Sequence, residues 1–110
     1  MNPVFVHGCG AVSPAGWGIV PLLEAVRAGR APPLQQIPRP GWEEALPVRA
    51  VPPPSVRPEF LKHARLRRTS PITQFALAAA LEAIGPDLEI HQAGRCRLGI
   101  VFCTMSGCVN

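Results

Sequence analysis

An α/β chain is what the sequence predicts, in the order strand, helix, long proline-rich insertion, helix, strand. Three observations predict it. Two short apolar runs, Val4-Phe5-Val6 and Leu98-Gly99-Ile100-Val101-Phe102, lie near the two ends, and each passes into a turn-forming stretch. Two stretches with helical signals lie between them, Ile19 to Ala28 and Ser70 to Ile84. The segment between the helices, Ala31 to Pro58, holds most of the chain's 14 prolines. A strand–helix–strand order closes by default as a right-handed parallel crossover.

The first run reads as a buried strand, since β-branched and aromatic residues are closed off by Gly8. Gly8, Gly10, Ser13, Pro14 and Gly16 then form a loop. Pro21 is tolerated only in a first helical turn, which places the next helix start near Ile19. Ile19, Leu22, Leu23 and Val26 share one face of it. Gly29 suits the left-handed position past its end, and Arg27 sits well at the negative end of the helix dipole.

Pro32-Pro33, Pro38, Pro40, Pro47, Pro52-Pro53-Pro54 and Pro58 forbid a continuous helix or a central strand in the insertion. A short extended piece is expected around Val48 to Val51. Ser70 is a good N-cap, and Pro71 suits the first position of the second helix. Its apolar stripe is Ile72, Phe75, Ala76, Ala79, Ala80 and Ala83, and the alanines leave room for another element to approach closely. Gly85-Pro86 stops it. Leu98 to Phe102 reads as a second buried strand, and no internal repeat is present.

The totals bound the function classes. With 110 residues, 47% hydrophobic and 16% charged, the chain suits one small globular domain with little surplus stability. No run approaches the ~18 apolar residues of a membrane span. No basic stretch leads into an apolar run at the start, so no signal peptide is expected, and the predicted location is cytoplasmic. Cys9, Cys96, Cys103 and Cys108 form no Cys-x-x-Cys pair and have no His at ligand spacing, so neither a metal nor another cofactor is expected. These thiols are expected to be free, and most or all of the four to be buried as small hydrophobes. Gly8-Cys9-Gly10-Ala11-Val12-Ser13 imitates a dinucleotide fingerprint. Ser13 stands where the third glycine belongs, and no acid follows ~20 residues on, so a tight turn is the better reading.

The net charge is +4, and Arg57 to Arg68 concentrates it: Arg57, Lys62, His63, Arg65, Arg67 and Arg68 face a single acid, Glu59. Such a run is either a solvated face or a docking surface for an acidic partner. Only Phe60 is interleaved, which argues against nucleic acid.

Three segments in order resemble the β-ketoacyl synthase family. They are Val4 to Pro14 with Gly16, closing at Ala28-Gly29-Arg30; Arg67-Arg68 leading into the alanine-rich Ser70 to Ala83; and Arg97-Leu98-Gly99-Ile100-Val101-Phe102-Cys103-Thr104. The resemblance spans essentially the whole chain. It implies that residues 1–110 are the N-terminal part of a thiolase-like αβαβα fold, with 31–58 as an insertion. The family's Gly-Thr-Gly-x-Gly-Gly turn is replaced here by Cys103-Thr104-Met105-Ser106-Gly107-Cys108.

The family reaction is a decarboxylative Claisen condensation, in fatty-acid or polyketide-type synthesis. A cysteine takes up an acyl group, two histidines serve the malonyl thioester, and backbone amides hold the oxyanion. The resemblance places all three side chains beyond position 110, so Cys103 and Cys108 are not the nucleophile and no residue here is expected to be catalytic. His7, His63 and His91, the last in a polar loop, read as structural or solvated. The resemblance further implies an acyl carrier protein as partner, docked on Arg67 and Arg68, with Arg65 and Lys62 less securely matched, and a homo- or heterodimer. The alternative is a non-catalytic partner subunit like the chain-length factors.

Overall fold

The computed structural model describes residues 1–104. They form a small mixed α/β unit: β1 (Val12–Ser13), β2 (Gly16–Trp17), α1 (Ile19–Ala28), β3 (Gln35–Ile37), β4 (Leu46–Val48), 3-10 turns at Glu59–Lys62 and Leu66–Arg68, α2 (Pro71–Ile84), a further 3-10 turn, and α3 (Leu88–Gln92). There are two sheets, each an antiparallel ribbon of two strands, β1 with β2 and β3 with β4.

The helices follow their local signals. Helix α1 begins at Ile19 and ends at Ala28, with Gly29 left-handed at φ 63°. Its N–H and that of Arg30 take up the last carbonyls, of Val26 and Ala25. In α2 the Ser70 hydroxyl accepts from the Thr73 N–H at 3.4 Å, with Pro71 at the first helical position.

The strands depart from expectation. Neither Val4-Phe5-Val6 nor Leu98 to Phe102 is a strand. Both are exposed: Val4 is 94% accessible, Val6 90%, Val101 89% and Phe102 78%. β-propensity supplies side chains that suit a sheet, but a strand exists only with a neighbour to share its hydrogen bonds, and among the described residues no segment pairs with either run. The expected parallel crossover is therefore not formed among the described residues.

The ribbons arise from turn chemistry instead. Val12 faces Trp17 and Ser13 faces Gly16 across the Pro14-Ala15 turn, where the Ser13 hydroxyl accepts from the Ala15 N–H at 3.2 Å. In the insertion, Gln35, Gln36 and Ile37 pair with Val48, Pro47 and Leu46. Pro47 is admissible there because both strands of the ribbon are edges. The extended piece expected at Val48 to Val51 thus starts two residues earlier and ends at Val48. Arg49 closes the base of this hairpin on the Pro32 carbonyl at 2.9 Å, and Arg39 stacks over Trp42 in its loop at 4.3 Å. His91, expected in a loop, lies in α3.

Packing is thin. Gly16 is the single buried position among the described residues, and no large side chain is fully enclosed. Phe75, Ala76, Ala79 and Ala83 of the α2 stripe are half-buried, whereas Ile72 and Ala80 are exposed; on α1, Ile19 and Leu22 are half-buried while Leu23 and Val26 face solvent. The radius of gyration is 17.0 Å, against about 13 Å for a compact chain of this length. Trp17 ties the insertion to the body. Its ring meets Phe75 edge-on at 5.5 Å, and its indole N–H donates to the Pro52 carbonyl at 2.7 Å. No described helix is long and apolar enough to cross a membrane.

The expectation of buried thiols is corrected. Cys9, Cys96 and Cys103 are free but exposed. Cys108, and with it most of the Cys103–Cys108 turn, lies outside the described residues.

Candidate functional site

The basic segment folds as two successive 3-10 turns. Pro58 precedes the first, and its carbonyl accepts from the Leu61 N–H at 3.1 Å. The second is held by the His63 carbonyl, which accepts from Leu66 and Arg67, and by the Thr69 hydroxyl, which donates to the Leu66 carbonyl at 2.7 Å. Gln74 reaches back from α2 to the Thr69 carbonyl at 3.2 Å. These bonds fix the segment against the start of α2. Phe60, Leu61 and Leu66 turn inward to half-burial, while Lys62, His63, Arg65, Arg67 and Arg68 stay exposed.

The four candidate docking residues do not stand alike. Lys62 is engaged with Glu59, Nζ to Oε2 at 2.7 Å, an exposed i,i+3 pair of the kind that contributes little stability. Arg65, Arg67 and Arg68 make no ion pair among the described residues. They place three exposed cations within four residues of sequence, and Arg67 and Arg68 lie ahead of the Ser70 cap, outside α2. An exposed cationic cluster of this kind attracts an acidic surface with strong dependence on ionic strength.

The glycine loop is committed elsewhere. A Cβ on Gly8 would come within 2.1 Å of the Ala83 carbonyl oxygen, and one on Gly10 within 2.1 Å of that of Ala79. The two glycines thus lie flush on the α2 backbone, the close approach the alanine stripe invites. Two amides that a phosphate cradle would need, Ala11 and Ile19, donate to the two carboxylate oxygens of Glu82, at 3.0 and 2.8 Å. The position of a bound phosphate at a helix N-terminus is filled by the chain's own anion.

Glu82 is the residue that sequence reasoning missed. It is the one charged side chain in α2, set in an otherwise apolar helix. Its counterpart signal is Gly18 at the start of α1, which offers no capping side chain.

The histidines are apart from one another in role. His7 faces Asp87 at 3.6 Å, His63 Nδ1 accepts from the Arg65 N–H at 3.3 Å, and His91 Nδ1 is shut from solvent without a partner. Among the described residues, no group of three or more His, Cys, Asp or Glu converges as a metal site would. No family model, curated protein or solved structure matches the chain.

Proposed function

We propose that the chain is the N-terminal segment of a β-ketoacyl synthase-like condensing enzyme of thiolase-like fold, and that it holds the carrier-docking turn but none of the reacting side chains. The observation that supports this reading is the exposure of Val4-Phe5-Val6 and Leu98 to Phe102. Both runs have strand composition and unshared ladder groups, and both suit the interior of a larger sheet. Arg65, Arg67 and Arg68, exposed ahead of α2, suit an acidic carrier protein.

The test uses the polypeptide encoded from Met1 to the stop codon of its reading frame, incubated with acyl- and malonyl-carrier protein, with mass spectrometry of the ketoacyl product. Product from that polypeptide alone is the expected result. Product only beside an active synthase would assign the second reading, a partner subunit. Product in neither case overturns both.

A further inference from the structure

Helix α1 lacks its own N-terminal cap. Gly18 precedes it with no side chain to accept a bond, and no acid lies in its first turn. Helices in this condition fray from the N-terminus unless another group satisfies the first N–H donors. Here α2 supplies that group across 63 residues of sequence: Glu82 Oε1 accepts the Ile19 N–H at 2.8 Å. The other oxygen accepts the Ala11 N–H at 3.0 Å. Ala11 in turn accepts from the Gly18 N–H at 2.8 Å. Both ends of the loop from Ala11 to Gly18 are therefore held by one carboxylate. Glu82 reaches them because Gly8 and Gly10 let the chain lie on the backbone of Ala79 and Ala83.

We infer that Glu82 is an internal anion latch. It provides the negative charge that a glycine loop and helix N-terminus otherwise draw from a bound phosphate, and so makes the order of α1 and its loop conditional on their seating against α2. Helix α2 does not depend on the latch in return, since it carries its own cap in Ser70. Loss of the carboxylate releases α1 and the loop while α2 persists. Because the latch is an anion in a cradle of N–H donors, a small free carboxylate refits the space left by truncation.

The test is amide hydrogen exchange, resolved by residue, on the full 110-residue chain and its Glu82→Ala and Glu82→Gln variants. Hydrogen bonds to a charged group are worth about 1.5–3 kcal/mol, so protection at Ala11 and Ile19 should fall about tenfold or more in Glu82→Ala. Thr73, bonded to Ser70, should keep its protection. Glu82→Gln preserves size and one acceptor, and should lose less. Acetate, compared with chloride at equal ionic strength, should restore protection at Ala11 and Ile19 in Glu82→Ala and change nothing in the parent chain. Unchanged protection at both amides in Glu82→Ala overturns the inference, as does acetate acting no better than chloride. If Glu82→Ala loses protection everywhere, Glu82→Gln decides: selective loss at Ala11 and Ile19 supports the latch, and uniform loss including Thr73 overturns it.

Discussion

Gly10→Ala tests the seating of the loop on α2. The added methyl would stand 2.1 Å from the Ala79 carbonyl oxygen and 3.0 Å from the Ala83 nitrogen. Ordinary contact needs about 3.4 Å or more, so the loop must withdraw from the helix by about 1 Å, since both obstacles are backbone and neither can rotate away. Overpacking of this kind costs about 1–3 kcal/mol before any hydrogen bond is lost. Withdrawal also stretches the Ala11 bond to Glu82, now 3.0 Å, beyond useful length. Small domains hold only about 5–15 kcal/mol in total, and this chain encloses no large side chain. The substitution should therefore remove much of its stability. The assay is urea unfolding followed by far-ultraviolet circular dichroism, with sucrose present to strengthen the folded baseline. Gly99→Ala is the control, because nothing lies within 4 Å of its added methyl; its effect should stay within about 0.5 kcal/mol. A Gly10→Ala midpoint equal to that of the parent chain would refute the close-contact reasoning.

Further outcomes follow from the same geometry. Ser70→Ala removes the cap bonded to the Thr73 N–H and should cost about 1 kcal/mol in the same unfolding assay; no shift in midpoint would show the cap to be idle. The isolated chain should bind a hydrophobic dye through its exposed runs, and Phe5→Asp with Phe102→Asp should reduce that signal, since both rings are largely accessible. Dye fluorescence unmoved by the pair of substitutions would place the binding elsewhere. In the polypeptide spanning the whole reading frame, Arg67→Glu with Arg68→Glu should weaken carrier-protein binding by about 1–3 kcal/mol at low salt, with less effect at physiological salt. Turnover of small thioesters that lack the carrier should hardly change, and equal carrier affinities would return the pair to a solvated face.

The parts of this fold that the sequence made legible are those with local causes. Ser70-Pro71 and Gly85 bound α2, and Pro21 and Gly29 bound α1, because caps and stops act within a few residues. The alanine stripe likewise announced a close neighbour, which proved to be Gly8 and Gly10. Pairing was not legible. Val4-Phe5-Val6 and Leu98 to Phe102 have the composition of buried strands, yet whether they pair depends on segments far away in sequence. β3 went unseen because Gln35-Gln36-Ile37 carries little strand signal and is fixed by Leu46-Pro47-Val48 opposite. Glu82 was hidden for the same reason, its partners lying 63 and 71 residues away. The basic turn was visible as composition, but only its folding separated the paired Lys62 from Arg65, Arg67 and Arg68.

The most direct test of the condensing-enzyme proposal is the nucleotide sequence following the codon for Asn110. The proposal predicts an open frame that continues and encodes a cysteine followed by two histidines, the side chains that take up the acyl group and serve the malonyl thioester. A stop codon at that point, or a continuing frame without that cysteine and those histidines, would contradict it.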